Sequence, residues 1–231
     1  MSDLVEFFID NPGLLVEKAL SHMGISALAI GIALVVALPV GVLLGHKHRG
    51  SYVAINVSNV LRALPSLALI AISLAIFGLS TINIVIALVA LAVPPILTNA
   101  YTAVDNVDPD AVEAARGMGM SERGIVAAIE LPLSWPLIFA GIRTAAVYVI
   151  ATAPLAAIAG GGGLGDIIVN QPTYGLVGVI AATIVTVALA FAVDGLLGLT
   201  QRKLTPSGLT APTELHILPL AKSELPGSPV T

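Results

Sequence analysis

The sequence predicts an all-α integral membrane protein with about five transmembrane helices. Its 231 residues are 57% hydrophobic and only 10% charged, whereas a soluble domain carries about a quarter charged residues. The apolar residues are also gathered into stretches that, as helices, are long enough to cross a bilayer core of about 30 Å. Most of the charge is left to the ends of the chain and to the connections between these stretches.

Five spans follow one another along the chain, and each is bounded by charged, glycine-rich or turn-forming residues. We predict them at residues 23–45, 52–77, 82–101, 135–159 and 174–199. Residues 1–22 are predicted to form an interfacial segment on the membrane surface, with an extension of the first span as the open alternative. The transmembrane domain then covers residues 23–202, and the proline-interrupted residues 203–231 are predicted to be a disordered cytoplasmic tail.

The distribution of basic residues orients these spans. If the N-terminus lies outside, five crossings bring most of the basic side chains to the cytoplasm and leave only Lys18 outside. The residues brought inside are Lys47, Arg49, Arg116, Arg123, Arg202 and Lys203. The positive-inside rule therefore predicts an outside N-terminus and a cytoplasmic C-terminus. Many alanines and valines with few lysines are typical of a bacterium with a GC-rich genome, so we expect a multi-pass protein of the bacterial inner membrane.

Residues 105–133 are the most densely charged stretch in the interior of the sequence, and they are predicted to form two short helices. Asp108 is a residue type that caps helices, and Pro109 would occupy the first helical position. Gly117 and Gly119 are expected to end this first helix. A helix-turn-helix between two membrane spans suits docking onto a soluble partner protein.

The second predicted helix begins after Ser121, which is again a capping residue type. Ile125, Val126 and Ile129 are its apolar residues. Pro132 is expected to end this helix, because proline cannot continue an α-helix without losing a backbone hydrogen bond.

A fixed pattern of residues runs through the whole loop. Its positions are Glu113, Ala114, Ala115, Gly119, Ile129, Leu131 and Pro132. They resemble the cytoplasmic loop of ABC importer permeases, which reads E-A-A, three residues, G, nine residues, I, one residue and L-P. The resemblance implies a type I ABC importer-like fold, in which this loop is a coupling helix that sits in a groove of the ATPase subunit. Gly117 and Met118 would belong to the same coupling surface, and the small side chains of Ala114 and Ala115 would leave a smooth patch that the ATPase approaches closely.

Three other segments resemble the osmoprotectant importer permeases in particular. A glycine-rich turn precedes Asp166, an R-x-x-P-S-L segment begins at Arg62, and Asp194 lies late in the last span before a basic pair and L-T-P. The resemblance implies ATP-driven import of glycine betaine, carnitine, choline or proline betaine. A methionine or phosphonate importer is the alternative, because methionine importer permeases have a similar glycine turn. A secondary transporter or channel that works without ATP is the alternative from a different class.

Candidate gate and turn residues come from the same segments. Arg62 lies roughly 15 Å into its predicted helix, and a cation at that depth is a functional-site candidate. Two roles are open for it: part of a gate, or a side chain that reaches back to the headgroups. The gate candidates are Arg62, Pro65, Ser66 and Asn59. The glycines expected to allow close packing and a bend are Gly162, Gly163 and Gly165.

Two motif matches point to enzymes, and the sequence argues against both. Residues 160–165 contain G-x-G-x-x-G, but dinucleotide binding needs a strand-turn-helix unit. Residues 163–166 spell G-x-G-D, as in intramembrane aspartyl proteases, but that chemistry needs a second aspartate facing the first. Asp194 is the only other candidate near a span, and it is predicted near the opposite membrane surface. We expect no enzymatic activity in this chain.

The partners and cofactors follow from what the chain lacks. No lysine follows a glycine, so there is no Walker A motif, and we expect ATP and Mg on two copies of a separate ATPase subunit. We expect no cofactor or metal on this chain, which has no cysteine and no histidine cluster with acidic residues. The resemblance also implies a separate extracytoplasmic substrate-binding protein and a second permease subunit, identical or related. The net charge of −4 gives no electrostatic indication that the chain binds nucleic acid.

The sequence also predicts the surroundings or the partners of four polar side chains. His46 and His48 are expected to lie in a solvated loop. Arg143 is expected to reach the cytoplasmic headgroups or to pair with a carboxylate of the loop. Asp194 is expected to pair with a cytoplasmic cation.

Overall fold

The structure is a computed structural model that describes residues 2–49 and 51–205, and these residues form helices and no strands. The α-helices in chain order are α1 Ser2–Asp10, α2 Pro12–His46, α3 Ser51–Ala63, α4 Ser66–Phe77, α5 Thr81–Asp105, α6 Pro109–Gly117, α7 Glu122–Ile125, α8 Leu131–Thr152, α9 Leu164–Val169 and α10 Gln171–Leu204. A π-helical turn at Val126–Glu130 joins α7 to α8, and a 3₁₀ segment at Ala153–Ala159 follows α8. The predicted tail at residues 203–231 lies outside the described residues from position 206 onward.

Four to five membrane spans are present among the described residues. The helix α2, the helix α5, the stretch Glu122–Ala159 and the helix α10 are each long and apolar enough to cross a membrane, and α3 with α4 makes a fifth if the pair is one span. The predicted all-α membrane architecture is thus confirmed. The first span is longer than predicted, because one continuous helix covers both Pro12 and Met23. Residues 12–22 of the predicted interfacial segment therefore belong to the same helix as the first span, and only α1 is separated from it, by the break at Asn11.

The second predicted span is sharply broken. The helices α3 and α4 meet at an angle of 91°, and the break falls at Leu64 and Pro65. Proline has no backbone N–H to donate and pushes the residue before it out of helical conformation. The chain therefore turns by nearly a right angle at Pro65.

The helix α5 is the centre of the bundle. It packs against α2, α8, α3 and α4, and its residues from Asn83 to Val104 are mostly buried. Because the other long helices surround it, they expose more apolar side chains, such as Val35 on α2 and Phe191 on α10.

A stripe of small residues on α2 allows this helix to approach α5 closely. The stripe recurs at every fourth position, which places its members on one helix face: Ala29, Ala33, Ala37, Gly41 and Gly45. A Cβ atom at Gly41 would lie 2.7 Å from the Cβ of Ala100 and 2.9 Å from the carbonyl oxygen of Leu97. Small residues at such contacts are typical of packed membrane helices, which associate through van der Waals contacts rather than the hydrophobic effect.

The bundle has two distinct ends. The end that we call the loop end contains the C-terminal ends of α2 and α5, the helices α6 and α7, and the start of α8. His48 at the end of α2 contacts Asp105 at the end of α5 there, at 2.9 Å. The opposite end contains α1, α9 and the glycine turn, where Lys18 forms a 2.7 Å ion pair with Asp166.

Substitution of Gly41 tests the close contact between α2 and α5. The variant Gly41→Leu should lose about 1–3 kcal/mol of stability, the usual cost of overpacking a filled contact. Gly31→Leu is the matched control, because nothing lies within 4 Å of a Cβ atom at Gly31 on the same helix. The measurement is the midpoint of thermal unfolding of the purified protein in detergent. Equal midpoints for the two variants would contradict the packing described here.

Candidate functional site

The charged loop between α5 and α8 begins with the predicted helix cap. The Oδ1 atom of Asp108 accepts a hydrogen bond from the backbone N–H of Asp110 at 3.0 Å, and Pro109 is the first residue of α6. The helix ends at Gly117, and Gly119 then adopts a positive φ of 84°, a conformation that glycine reaches at no steric cost. The predicted start and end of the first loop helix are therefore confirmed.

The second loop helix begins as predicted but does not end as predicted. Ser121 caps α7 by accepting a hydrogen bond from the N–H of Gly124 at 3.2 Å. Pro132 does not end the helix, because the chain passes through the π-helical turn directly into α8. The N–H of Leu131 bonds to the carbonyl of Val126, five residues earlier. This wider turn makes room for a proline ring, which would clash with the preceding turn of a regular α-helix.

The residues of the loop pattern divide between an exposed face and a buried one. Met118 is 76% exposed, whereas Ala115 is 1% exposed. Ala115 packs inside the loop in a small apolar cluster of Val107, Val112, Ala115 and Ile125. The expectation of a surface patch made by two alanines is therefore wrong for Ala115. The exposed members of the pattern are Glu113, Ala114, Gly117, Met118 and Gly119.

The last part of the loop pattern lies against the protein rather than on its surface. Ile129 is partly buried and packs against the loop cluster. Leu131 is partly buried and packs against a second cluster, which includes Ala100 of α5 and Ile138 of α8. These two residues therefore attach the loop to the membrane bundle.

Four charged side chains connect the loop to the end of α2. His46 Nδ1 lies 2.9 Å from Glu130, and His46 Nε2 lies 3.4 Å from Glu122. Arg116 donates two hydrogen bonds to Glu122, at 3.1 and 3.2 Å, and this contact raises the pKa of the guanidinium. The prediction of a solvated loop is wrong for His46, whose side chain is 14% exposed. It fits His48, whose side chain is 60% exposed.

Arg143 and Asp194 form an ion pair between α8 and α10. Arg143 Nε donates to Asp194 Oδ1 at 2.8 Å, and Nη2 donates to Oδ2 at 2.7 Å. Gln201 accepts a third hydrogen bond from Arg143 at 3.3 Å and donates to the carbonyl of Pro136. Asp194 does pair with a cation, but with one inside the span α8 and not with one of the basic residues predicted in the cytoplasm. The prediction for Arg143 is wrong, because its partner is a carboxylate of the last span and not of the loop.

The candidate gate residues lie along α3 and at the break before α4. Arg62, Asn59 and Pro65 are exposed, and Ser66 is partly buried. Arg62 has no hydrogen bond or ion pair with another described residue. Asn56, six residues before Arg62 on the same helix, donates a hydrogen bond to the carbonyl of Tyr52.

The glycine turn packs tightly against two helices. Gly163 has a φ of 76°, and a Cβ atom there would lie 3.1 Å from the Cα of His22. Gly165 similarly faces the carbonyl of Pro154, and Gly162 has a φ of 70°. No sequence pattern predicts that His22 is buried, and its Nε2 lies 3.1 Å from the carbonyl oxygen of Ile150.

The two enzyme motifs have no supporting geometry. Asp166 pairs with Lys18 at the opposite end of the bundle, while Asp194 pairs with Arg143 toward the loop end. The two aspartates thus have separate partners and do not form a facing pair. Among the described residues, no group of three or more His, Cys, Asp or Glu side chains could hold a metal ion.

The helical bundle of about five spans, with a two-helix loop at one end, has the fold of a type I ABC importer-like membrane permease. The chain belongs to the family described as binding-protein-dependent transport system inner membrane component, whose model matches residues 37–206. The members of this class are permease subunits and not enzymes, since a separate subunit hydrolyses ATP.

Several curated relatives match almost the whole chain. The choline transport system permease protein OpuBB of Bacillus subtilis (strain 168) is 38% identical over 220 residues, which cover 93% of this chain and 100% of that protein. The glycine betaine/carnitine/choline transport system permease protein OpuCB of the same organism is 37% identical, with the same coverage. The osmoprotectant import permease protein OsmW of Salmonella typhimurium is 34% identical and covers 90% of this chain and 99% of that protein.

A solved structure has the same fold. It is titled as an inward-facing conformation of the MetNI methionine ABC transporter, with a TM-score of 0.71 over 84% of this chain and 97% of that chain. The two sequences are 21% identical, so the likeness concerns the fold alone.

Substitution of Gly119 tests the turn between the two loop helices. Gly119→Ala should destabilise the turn by about 1–2 kcal/mol, because a Cβ atom is unfavourable at positive φ. Gly117→Ala is the control, since Gly117 lies in α6 and, like Gly119, has nothing within 4 Å of an added Cβ atom. The measurement is amide hydrogen exchange of residues 109–125. Exchange should be roughly 5- to 30-fold faster only for Gly119→Ala, and unchanged exchange would contradict the assigned conformation.

A double-mutant cycle tests the ion pair between α8 and α10. Asp194→Asn and Arg143→Gln should each destabilise the protein, because each leaves one charge without its partner beside apolar spans. The double variant should lose less stability than the two single losses combined, with an interaction energy of at least about 0.5 kcal/mol. Thermal unfolding in detergent measures the cycle, with exposed Thr144→Val as the control. Additive losses would show that the pair contributes nothing.

Proposed function

We propose that this chain is the permease subunit of an ATP-driven importer for osmoprotectants such as glycine betaine, carnitine, choline or proline betaine. The observation that carries the proposal is the identity of 34–38% to the choline, carnitine/choline and osmoprotectant permeases over at least 90% of this chain. The partners are two copies of an ABC ATPase subunit that binds ATP and Mg, an extracytoplasmic substrate-binding protein, and a second permease subunit, identical or homologous.

The orientation follows from charge. Basic residues concentrate at the loop end, whereas Lys18, near the start of α2, is the one basic side chain at the opposite end among the described residues. We therefore place the loop end and the C-terminus in the cytoplasm and the N-terminus outside, in the bacterial inner membrane. In this orientation the loop faces the compartment that contains ATP.

The loop transmits the closure of the ATPase dimer to the membrane spans. Its exposed residues Glu113, Ala114 and Met118 form the contact face, while Ile129 and Leu131 connect that face to the bundle. A rigid connection is needed because the ATPase can shift the permease only through contacts that differ between its two states. Gly117, Gly119 and Pro132 set the path of the backbone between the two parts, and Ala115 fills the core of the loop.

The gate lies at the broken span. Arg62 and Asn59 on α3, with Pro65 and Ser66 at the break, present polar groups where the backbone leaves its helix. We propose that these residues border the translocation pathway together with the second permease subunit. The glycines 162, 163 and 165 hold the turn at the outer end against α2 and the 3₁₀ segment.

Transport by the reconstituted importer tests the function. The chain, its ATPase and its binding protein are placed in vesicles, and uptake of labelled glycine betaine is measured with and without ATP on the side of the ATPase. ATP-dependent uptake that excess methionine does not inhibit supports the proposal. Uptake without ATP would indicate a secondary transporter, and inhibition by methionine or a phosphonate would indicate the alternative importers.

A charge reversal on the loop tests the coupling face. Glu113→Lys should lower ATP-driven uptake by at least about tenfold, while binding of the substrate-binding protein is retained, because only the contact with the ATPase is changed. Glu6→Lys is the matched control, with the same charge change at an exposed position on α1, at the other end of the bundle. Uptake and retention of the ATPase subunit during purification are measured together. Full uptake by Glu113→Lys would refute the assignment of the coupling face.

A further inference from the structure

A buried carboxylate lies at the point where the loop enters the membrane bundle. Glu130 ends the π-helical turn just before Leu131, and its side chain is 2% exposed. Its two oxygens each lie 2.9 Å from Nδ1 of His46, at the end of α2. A buried carboxylate needs a hydrogen-bonded or charged partner, and His46 supplies it from another helix, 84 residues earlier in the chain.

The second ring nitrogen of His46 faces another carboxylate. Nε2 lies 3.4 Å from Glu122 on α7, and Glu122 in turn receives both hydrogen bonds from Arg116 on α6. Charges therefore alternate from Glu130 through His46 and Glu122 to Arg116. Only the imidazolium carries a proton on both nitrogens, so only the charged ring interacts favourably with both carboxylates at once.

We propose that His46 is a positioning residue that fastens the coupling loop to α2. The imidazolium holds Glu130 of the π-helical turn and Glu122 of α7 against the last turn of α2. A displacement of α6 and α7 then moves α2, whose small-residue stripe packs closely along the central helix α5. The inference rests on the proposed function, since the ATPase is what would displace the loop.

The charged groups around His46 are mostly carboxylates. From each packed element they are Asp105 of α5, Glu113 and Arg116 of α6, Glu122 of α7, Glu130 of the π-helical turn, and His48 beyond the end of α2. A positive charge at position 46 therefore meets more attraction than repulsion from its neighbours.

The first experiment measures coupling in the complete importer. Vesicles contain the permease, its ATPase and its binding protein, and labelled glycine betaine taken up is divided by ATP hydrolysed. His46→Gln should lower this ratio roughly tenfold, within the range of coupling between sites, while the ATPase subunit stays bound. His48→Gln is the matched control, because Asp105 is the one ion-pair partner of His48 among the described residues and His48 is largely exposed; its ratio should stay within about twofold of wild type.

The second experiment separates a charged connection from simple packing. His46→Arg keeps a positive charge beside both carboxylates, so its uptake-to-ATP ratio should lie well above that of His46→Gln. Glu122→Gln leaves His46 in place and removes one of the two charges that it contacts, so this variant should also lower the ratio. Equal ratios for His46→Arg and His46→Gln, or a wild-type ratio for Glu122→Gln, would overturn the proposal.

The remaining outcomes distinguish this inference from the proposed function. If His46→Gln keeps full coupling while Glu113→Lys loses it, the loop still couples but His46 does not fasten it, and the inference is refuted. If neither substitution lowers uptake, the coupling role of the loop fails, and the inference fails with it.

Discussion

The close contact between α2 and α5 is the constraint on which the rest of the bundle depends. Inside a membrane the hydrophobic effect does not drive helices together, so packing must come from backbones that approach closely. Gly41 and Gly45 permit that approach, because a Cβ atom at either would lie within 3 Å of atoms on α5. With α2 fixed along α5, the end of α2 is held beside the start of α8. His46 and Glu130 can meet only because of this arrangement.

The loop has one exposed face, and its other residues attach it to the membrane bundle. Met118 is the most exposed apolar side chain of the loop pattern, whereas Ala115, Ile129 and Leu131 turn toward the interior. Some residues of the pattern are therefore exposed, and others form or contact the buried core of a small folded unit. The Arg143–Asp194 pair gives α8 a second fixed connection, to α10.

Local signals in the sequence predict local structure well. The caps at Asp108 and Ser121, the end of α6 at Gly117 and the spans themselves depend on residues close together in the chain. Prediction fails where the decisive partner is distant. His46 is 84 residues from Glu130, and Arg143 is 51 residues from Asp194, so neither pair has a local pattern. The prediction that Pro132 ends the second loop helix is wrong for a related reason. The π-helical turn before it lets the helix continue through the proline, and such a turn has no simple sequence signature.

The break between α3 and α4 has a consequence for hydration. Where a helix stops inside a bilayer, the last carbonyls and first N–H groups lose their partners along the helix, and hydrocarbon offers none in exchange. A break inside a bilayer therefore needs water or other protein groups beside it. If the 91° turn at Leu64 and Pro65 lies within the hydrocarbon layer, we expect water or protein, and not lipid, to contact its free backbone groups.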